Sequence, residues 1–162
     1  MDGIETDIPG APHDHDACVS AALETAAELC RRQGSRLTPV RRQVLEIVWE
    51  SHRPVKAYDV LARLSDHGRA AKPPTVYRAL GFLIDQGLIH RIEGLNAFIG
   101  CARPNDAHTG YFLICERCRA VTEMASPRLE TLLGQEAAGL GFTVKAQTVE
   151  IFGLCAACGG GR

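Results

Sequence analysis

Apolar residues recur at helical spacing from about residue 17 to residue 87, and proline and glycine break the pattern into segments. A first helix is expected over residues 17–33, where Val19, Leu23, Ala26, Ala27 and Cys30 share a face and Gly34 stops it. A second begins at Thr38, an N-cap followed by proline at the first helical position, and buries Val40, Val44, Ile47 and Val48 with Trp49 at the margin. A third, residues 57–66, turns Val60, Leu61 and Leu64 inward and ends before Gly68. In the fourth, "AKPPTVYRALGFLIDQG", Pro74 marks the first turn and Gly87 the stop. At about 100° per residue, Leu80, Leu83 and Ile84 fall within about 80° of Val76, whereas Arg78 and Asp85 fall on the opposite side. The period then shifts to two in "LIHRIEGLNAFIGC", which predicts a hairpin turning at 94–96. Helices followed by a hairpin give the order of a winged helix-turn-helix, with the last helix as the recognition helix.

Beyond a polar hinge at 102–107, the pattern predicts strands over 111–115 and 120–124, a helix over 127–140, and a long strand over 142–152. The fold class is therefore α+β. An acidic tail, 1–16, is expected to be disordered and precedes a winged-helix domain, 17–101. After the hinge comes a small α/β domain, 108–162. Its core is small for independent stability, so a metal and a partner subunit are expected.

Charge refines this division. The net charge of −1 hides an asymmetry: residues 1–16 hold five acids and no Lys or Arg, whereas 31–91 hold twelve Lys and Arg against five acids. A basic middle segment fits a polyanion and equally fits a solvated surface. His13 and His15 read as part of the solvated tail rather than as ligands. No basic segment followed by an apolar one opens the chain, and no apolar run is long enough to cross a bilayer, so the expected location is the cytoplasm. In that compartment seven cysteines argue for metal or redox chemistry rather than a disulfide framework.

Four of the seven are paired. "CERC" at 115–118 is matched by "CAAC" at 155–158, and two CxxC pairs bring four thiolates within tetrahedral reach of one zinc. A thioredoxin-like couple needs one pair beside a βαβ unit, not two matched pairs. The helix and strand between the pairs lengthen the loop, but closure costs only about 0.6 kcal/mol per doubling of length. With four protein ligands the site keeps no open position, which argues for structure rather than catalysis. Cys18 and Cys30, twelve residues apart on the first helix, read as small apolar side chains.

A second set of candidate ligands surrounds the hinge: His90 on the wing, Cys101 at its end, His108 after the hinge and Glu123 on a later strand. Nitrogen, sulfur, nitrogen and oxygen suit a four-coordinate zinc. Each also has a plain role: His90 and Glu123 exposed, Cys101 buried, His108 on a loop. The spacing alone does not make them converge.

The segments "AYDVL", "AKPPTVYRALGFLIDQGLIHRIEGLNAFIGC", "HTGYFLICERC" and "GLCAAC" together resemble the Fur family of metal-responsive repressors, most of all its zinc-sensing branch. The resemblance runs from about Leu37 to Cys158. It implies a winged-helix DNA-binding domain, a hinge, and a dimerisation domain stabilised by zinc. It further implies a structural zinc on Cys115, Cys118, Cys155 and Cys158, and a regulatory zinc on His90, Cys101, His108 and Glu123, two zinc ions per protomer. Tyr58 and Arg78 fall where the family contacts DNA. Iron- and peroxide-sensing members usually carry more histidines just before the first CxxC, where this chain has only His108. The expected function is a homodimeric, zinc-responsive repressor of zinc-uptake genes on an inverted-repeat operator, with no membrane and no small-molecule substrate. Sensing of iron, manganese or peroxide within the family is the alternative. A hydrolytic zinc enzyme is a weaker one, because it needs three ligands, an exchangeable water and a general base.

Overall fold

A computed structural model describes residues 15–50, 53–66, 72–104 and 110–160. Residues 1–14, and with them His13 and most of the expected acidic tail, lie outside the described residues, as does His108 with residues 105–107 of the hinge. The chain divides into two compact units, one ending at residue 106 and the other beginning at residue 107.

The N-terminal unit holds α1 (His15–Arg32), α2 (Pro39–Trp49), α3 (Ala57–Asp66) and α4 (Pro73–Asp85), then the hairpin β1 (Ile89–Ile92) and β2 (Ala97–Gly100). Helix α1 starts at His15, two residues before the expected helix start at 17. Asp16 in its first turn and Arg31 and Arg32 in its last all complement the helix dipole. The Thr38 hydroxyl caps α2, accepting the Arg41 N–H at 3.5 Å, with Pro39 behind it. The core is apolar throughout: Val44, Leu45, Ile47 and Val48 of α2 meet Val76, Ala79, Leu80 and Leu83 of α4. Cys30 is buried among them, in the apolar role expected of it, while Cys18 is half-buried. Burying such side chains contributes about 1.5–3 kcal/mol each.

One expected core residue differs. Ile84 is 38% exposed. It sits at the margin of the α4 stripe, about 80° from Val76, where the described neighbours cover it only in part.

The wing strands pair antiparallel with Ile89 opposite Gly100 and Ile92 opposite Ala97. Val55, ahead of α3, extends the ladder by exchanging both backbone hydrogen bonds with Phe98 at 2.8 Å. The wing returns so close to α2 that a Cβ on Gly100 would lie 2.3 Å from the Trp49 ring. Only glycine fits there.

The C-terminal unit contains β3 (Gly110–Cys115), β4 (Val121–Met124), α5 (Pro127–Gly139), β5 (Thr148–Gly153) and the four-residue α6 (Ala156–Gly159). Its sheet has the order β4-β3-β5, with β4 antiparallel and β5 parallel to the central β3. Tyr111, Phe112, Ile114 and Val121 make a small core, and the Tyr111 hydroxyl donates to Gln147 Oε1 at 3.1 Å. Ser126 caps α5 by accepting the Leu129 N–H at 3.3 Å.

The long strand expected over 142–152 is shorter than that. Gly141, at φ +75°, ends α5 in the left-handed conformation, and the Phe142 N–H reaches back to Ala137 O at 2.9 Å. Phe142 thus belongs to the helix cap. Strand β5 begins where β3 offers partners, and its six residues match the six of β3 from Gly110↔Thr148 to Cys115↔Gly153.

Candidate metal centres and nucleic-acid face

The four paired cysteines converge because the sheet register brings them together. Cys115 closes β3 opposite Gly153, two residues before Cys155. The chain then turns tightly: Arg119, left-handed at φ 61°, donates its N–H to Cys115 O at 2.9 Å and brings Cys118 back toward the strand end. On the other side, α6 is one turn started by Cys155, whose carbonyl accepts the Cys158 and Gly159 N–H groups at 2.9 and 2.7 Å. Arg117 joins the two turns through a 2.6 Å hydrogen bond to Cys158 O.

All four sulfurs lie within 4.8 Å of one another. The Cys118 and Cys155 sulfurs are 3.8 Å apart. A tetrahedron with zinc–sulfur bonds of about 2.3 Å has edges of about 3.8 Å, so the donor set fits that ion in type and spacing. The electrostatics agree. Backbone N–H groups of Cys118 and Cys155 aimed at its sulfur hold the Cys115 thiol down at about 6. Cys158 is pushed up to about 12, first by its contact with the Cys155 side chain and then by burial, with Cys118 and Cys115 adding to the effect. A cluster that readily accepts one negative charge and resists the next needs a cation to ionise fully.

Of the second candidate set, the N-terminal unit holds two. His90 is half-buried on β1 and Cys101 is buried just past β2, its N–H bonded to Leu88 O at 3.1 Å. This register leaves a His90 ring nitrogen and the Cys101 sulfur within 4.8 Å of each other. Glu123 is half-buried on β4 of the C-terminal unit, opposite Phe112 on β3.

Arg78 and Tyr58 are exposed, as the wheel predicts for Arg78. Tyr58 is 79% exposed on α3, and Arg78 on α4 donates from Nε to Pro74 O at 3.2 Å. The sequence reading passed over Tyr77, which is 60% exposed beside Arg78. Its position about 100° from Val76 on the wheel was the available signal.

The model of the ferric uptake regulator family matches residues 32–152. The zinc uptake regulation protein of Escherichia coli (strain K12) is 39% identical over 137 residues, covering 84% of this chain and 80% of that one. The solved structure of a zinc uptake regulator complexed with zinc and DNA is 38% identical, with a TM-score of 0.82 over 86% of this chain and 93% of that one. Holo XcZur is 40% identical, with a TM-score of 0.79 over 85% of this chain and 96% of that one. Matched over most of its length by the family model and by these relatives, the chain belongs to the ferric uptake regulator family of metal-responsive transcriptional regulators.

Proposed function

We propose that this chain is a zinc-responsive repressor of zinc-uptake genes, acting as a homodimer on an inverted-repeat operator. The observation that carries the choice of metal is the pairing of His90 with Cys101 at the base of the wing. Imidazole beside thiolate is a borderline-soft donor pair that suits zinc better than iron(II) or manganese(II). His108 and Glu123 complete a four-ligand regulatory set, and the four cysteines hold a second, structural zinc, two ions per protomer. Zinc at the regulatory set supplies a cross-link between ligands of the two units. That cross-link fixes the angle between paired α4 helices, which must match two half-sites on DNA. Similarity supports the same metal: zinc uptake regulators reach 38–40% identity, against 30% for the ferric uptake regulation protein of Shigella flexneri and 28% for the peroxide operon regulator of Bacillus subtilis.

Surface chemistry supports dimerisation through the C-terminal unit. Helix α5 has no buried residue, and Leu132, Leu140 and Phe142 are 50%, 88% and 68% exposed. Strand β5 is a sheet edge with Ile151 and Phe152 open to solvent. An apolar helix beside an open strand edge fits a second copy of the chain. On DNA, Arg78 supplies the base contact, most naturally to a purine, and Tyr58 helps to set the register.

The test is a binding titration on a promoter fragment of a zinc importer, with the protein zinc-loaded, chelated, and reloaded with iron(II) or manganese(II). Binding should require zinc and disappear with a zinc-selective chelator, while metal analysis reads about two zinc ions per protomer. Metal-independent binding, or recovery with iron(II) but not zinc, would overturn the assignment.

A further inference from the structure

Strand alternation divides the wing into two faces. Phe98 and Gly100 of β2, with Ile89 opposite Gly100, share the face that packs on the helices, and both Phe98 and Ile89 are buried in the N-terminal core. His90, paired with Ile99, belongs to the other face, where a ring nitrogen comes within 4.8 Å of the Cys101 sulfur. The two candidate ligands are therefore backed by whatever bears on the end of β2 from the helical side.

That backing is Trp49, the last residue of α2, half-buried and packed against the core. A Cβ on Gly100 would lie 2.3 Å from Trp49 Cε2, 2.5 Å from Nε1 and 2.8 Å from Cδ2. Three adjacent ring atoms at such similar distances mean that the face of the indole, not its edge, covers Gly100. Left uncovered, this glycine would be a loose joint directly before Cys101, because no other residue has so wide a choice of backbone conformations. With the indole on one side, and the Cys101 N–H bonded to Leu88 O at 3.1 Å, the strand end has little room to move. The thiol stays beside the imidazole.

We propose that Trp49 is a positioning residue for zinc: by clamping Gly100 it holds Cys101 within reach of His90 before the ion arrives, and so sets the zinc concentration at which the regulatory site fills. The proposal rests on the reading of His90 and Cys101 as regulatory ligands, and adds to it a side chain that donates nothing to the ion. The physical ground is preorganisation. A site whose binding-competent form is only fractionally populated binds more weakly by that fraction, so a pair in register about a tenth of the time loses about tenfold in affinity.

The test is zinc competition against a chromogenic chelator, well below every melting transition, for the parent, Trp49→Ala, Trp49→Leu, Val44→Ala, Gly100→Ala and the double variant of Trp49→Ala with Gly100→Ala. The tightly held zinc should be unchanged throughout. The second zinc should bind about tenfold more weakly in Trp49→Ala. Trp49→Leu, which keeps apolar bulk against the core but no flat ring over Gly100, should weaken it severalfold, and it decides the matter if Trp49→Ala does not fold. Val44→Ala, which loosens the same helix through a fully buried side chain, should melt lower and still bind the second zinc as the parent does. Gly100→Ala should weaken the second zinc in the parent background and cost nothing further beside Trp49→Ala, where the ring it strikes is gone. On a duplex selected from a random pool by the zinc-loaded parent, Trp49→Ala should need about ten times the parent's free zinc for half-maximal binding. Parent affinity for the second zinc in Trp49→Leu, or equal weakening by Val44→Ala, would overturn the proposal alone. If the parent holds a single zinc, or if Cys101→Ala leaves the second one as tightly bound, the regulatory-site reading falls and this proposal with it.

Discussion

Cys115 and Cys158 carry opposite perturbations inside one cluster, and metal-free protein should show it. With its thiol held down at about 6, Cys115 is mostly thiolate at pH 7, whereas Cys158, pushed up to about 12, stays protonated. Thiolate is the nucleophile, so brief iodoacetamide treatment of zinc-stripped, folded protein should modify Cys115 first and Cys158 last, by peptide mass spectrometry. Equal labelling would contradict this electrostatic picture. The signs for stability in the metal-free form follow. The Cys115 contribution is fully present above its ordinary value of 9.0 and fades as pH falls through about 6. The Cys158 contribution is present below 9.0 and is lost as pH rises through about 12. A second residue-scale expectation concerns Gly100, where a Cβ would lie 2.3 Å from the Trp49 ring. Gly100→Ala must displace the ring or the wing, a strain that costs about 1–3 kcal/mol. Trp49 is the only tryptophan, so its emission reports the change directly. The variant should melt several degrees lower with shifted fluorescence, and parent-like values in both would refute the close fit.

At the scale of elements, α4 joins core and surface. Val76, Ala79, Leu80 and Leu83 are buried while Arg78 is exposed, so truncating Arg78 leaves the packing intact. Arg78→Ala should therefore keep the parent's melting temperature and zinc content. It should also lose selectivity for a selected duplex over random DNA by about 1–3 kcal/mol per half-site at matched salt. Retained selectivity would remove Arg78 from base reading. The helices of the N-terminal unit were legible in the sequence because the apolar periodicity agrees, at each of them, with at least one end signal: a cap, a proline or a glycine stop. Thr38–Pro39 is the clearest case, cap and proline standing where the periodicity begins. The misreadings arose where tertiary context decides. Phe142 alternates well enough for a strand, but the Gly141 turn claims it for the cap of α5. Ile84 lies at the margin of an apolar stripe, and only the neighbouring elements determine whether such a residue is covered. The turn of α6 is four residues long, shorter than any periodicity can register.

At the scale of the whole molecule, the two metal centres differed in legibility for a physical reason. A CxxC pair is a local turn, and two of them need only a β3–β5 register to meet, so spacing alone announced the four-cysteine site. The His90–Cys101 pair is a cross-hairpin contact, invisible until the wing register is known, and its proposed partners His108 and Glu123 lie beyond the hinge. That proposed site makes the most discriminating prediction. Cys101→Ala removes the softest ligand and leaves at most three, so regulatory zinc should bind far more weakly. The four cysteines are untouched, so the protein should stay folded and dimeric with about one zinc per protomer. Zinc moves a conformational equilibrium only by binding one state better than the other, and a shift from 1:99 to 99:1 needs about 5.5 kcal/mol of differential affinity. A dimer that has lost a soft ligand from both regulatory sites falls short of that. DNA-binding units no longer held by zinc spread over many angles, few of which match two half-sites. Cys101→Ala should thus bind a selected duplex weakly whether zinc is added or chelated, while size-exclusion chromatography still reports a dimer. Parent-like affinity with parent-like chelator sensitivity would remove Cys101 from sensing. A monomeric or unfolded variant would instead mean that the thiol serves the fold, as its burial at the end of β2 allows.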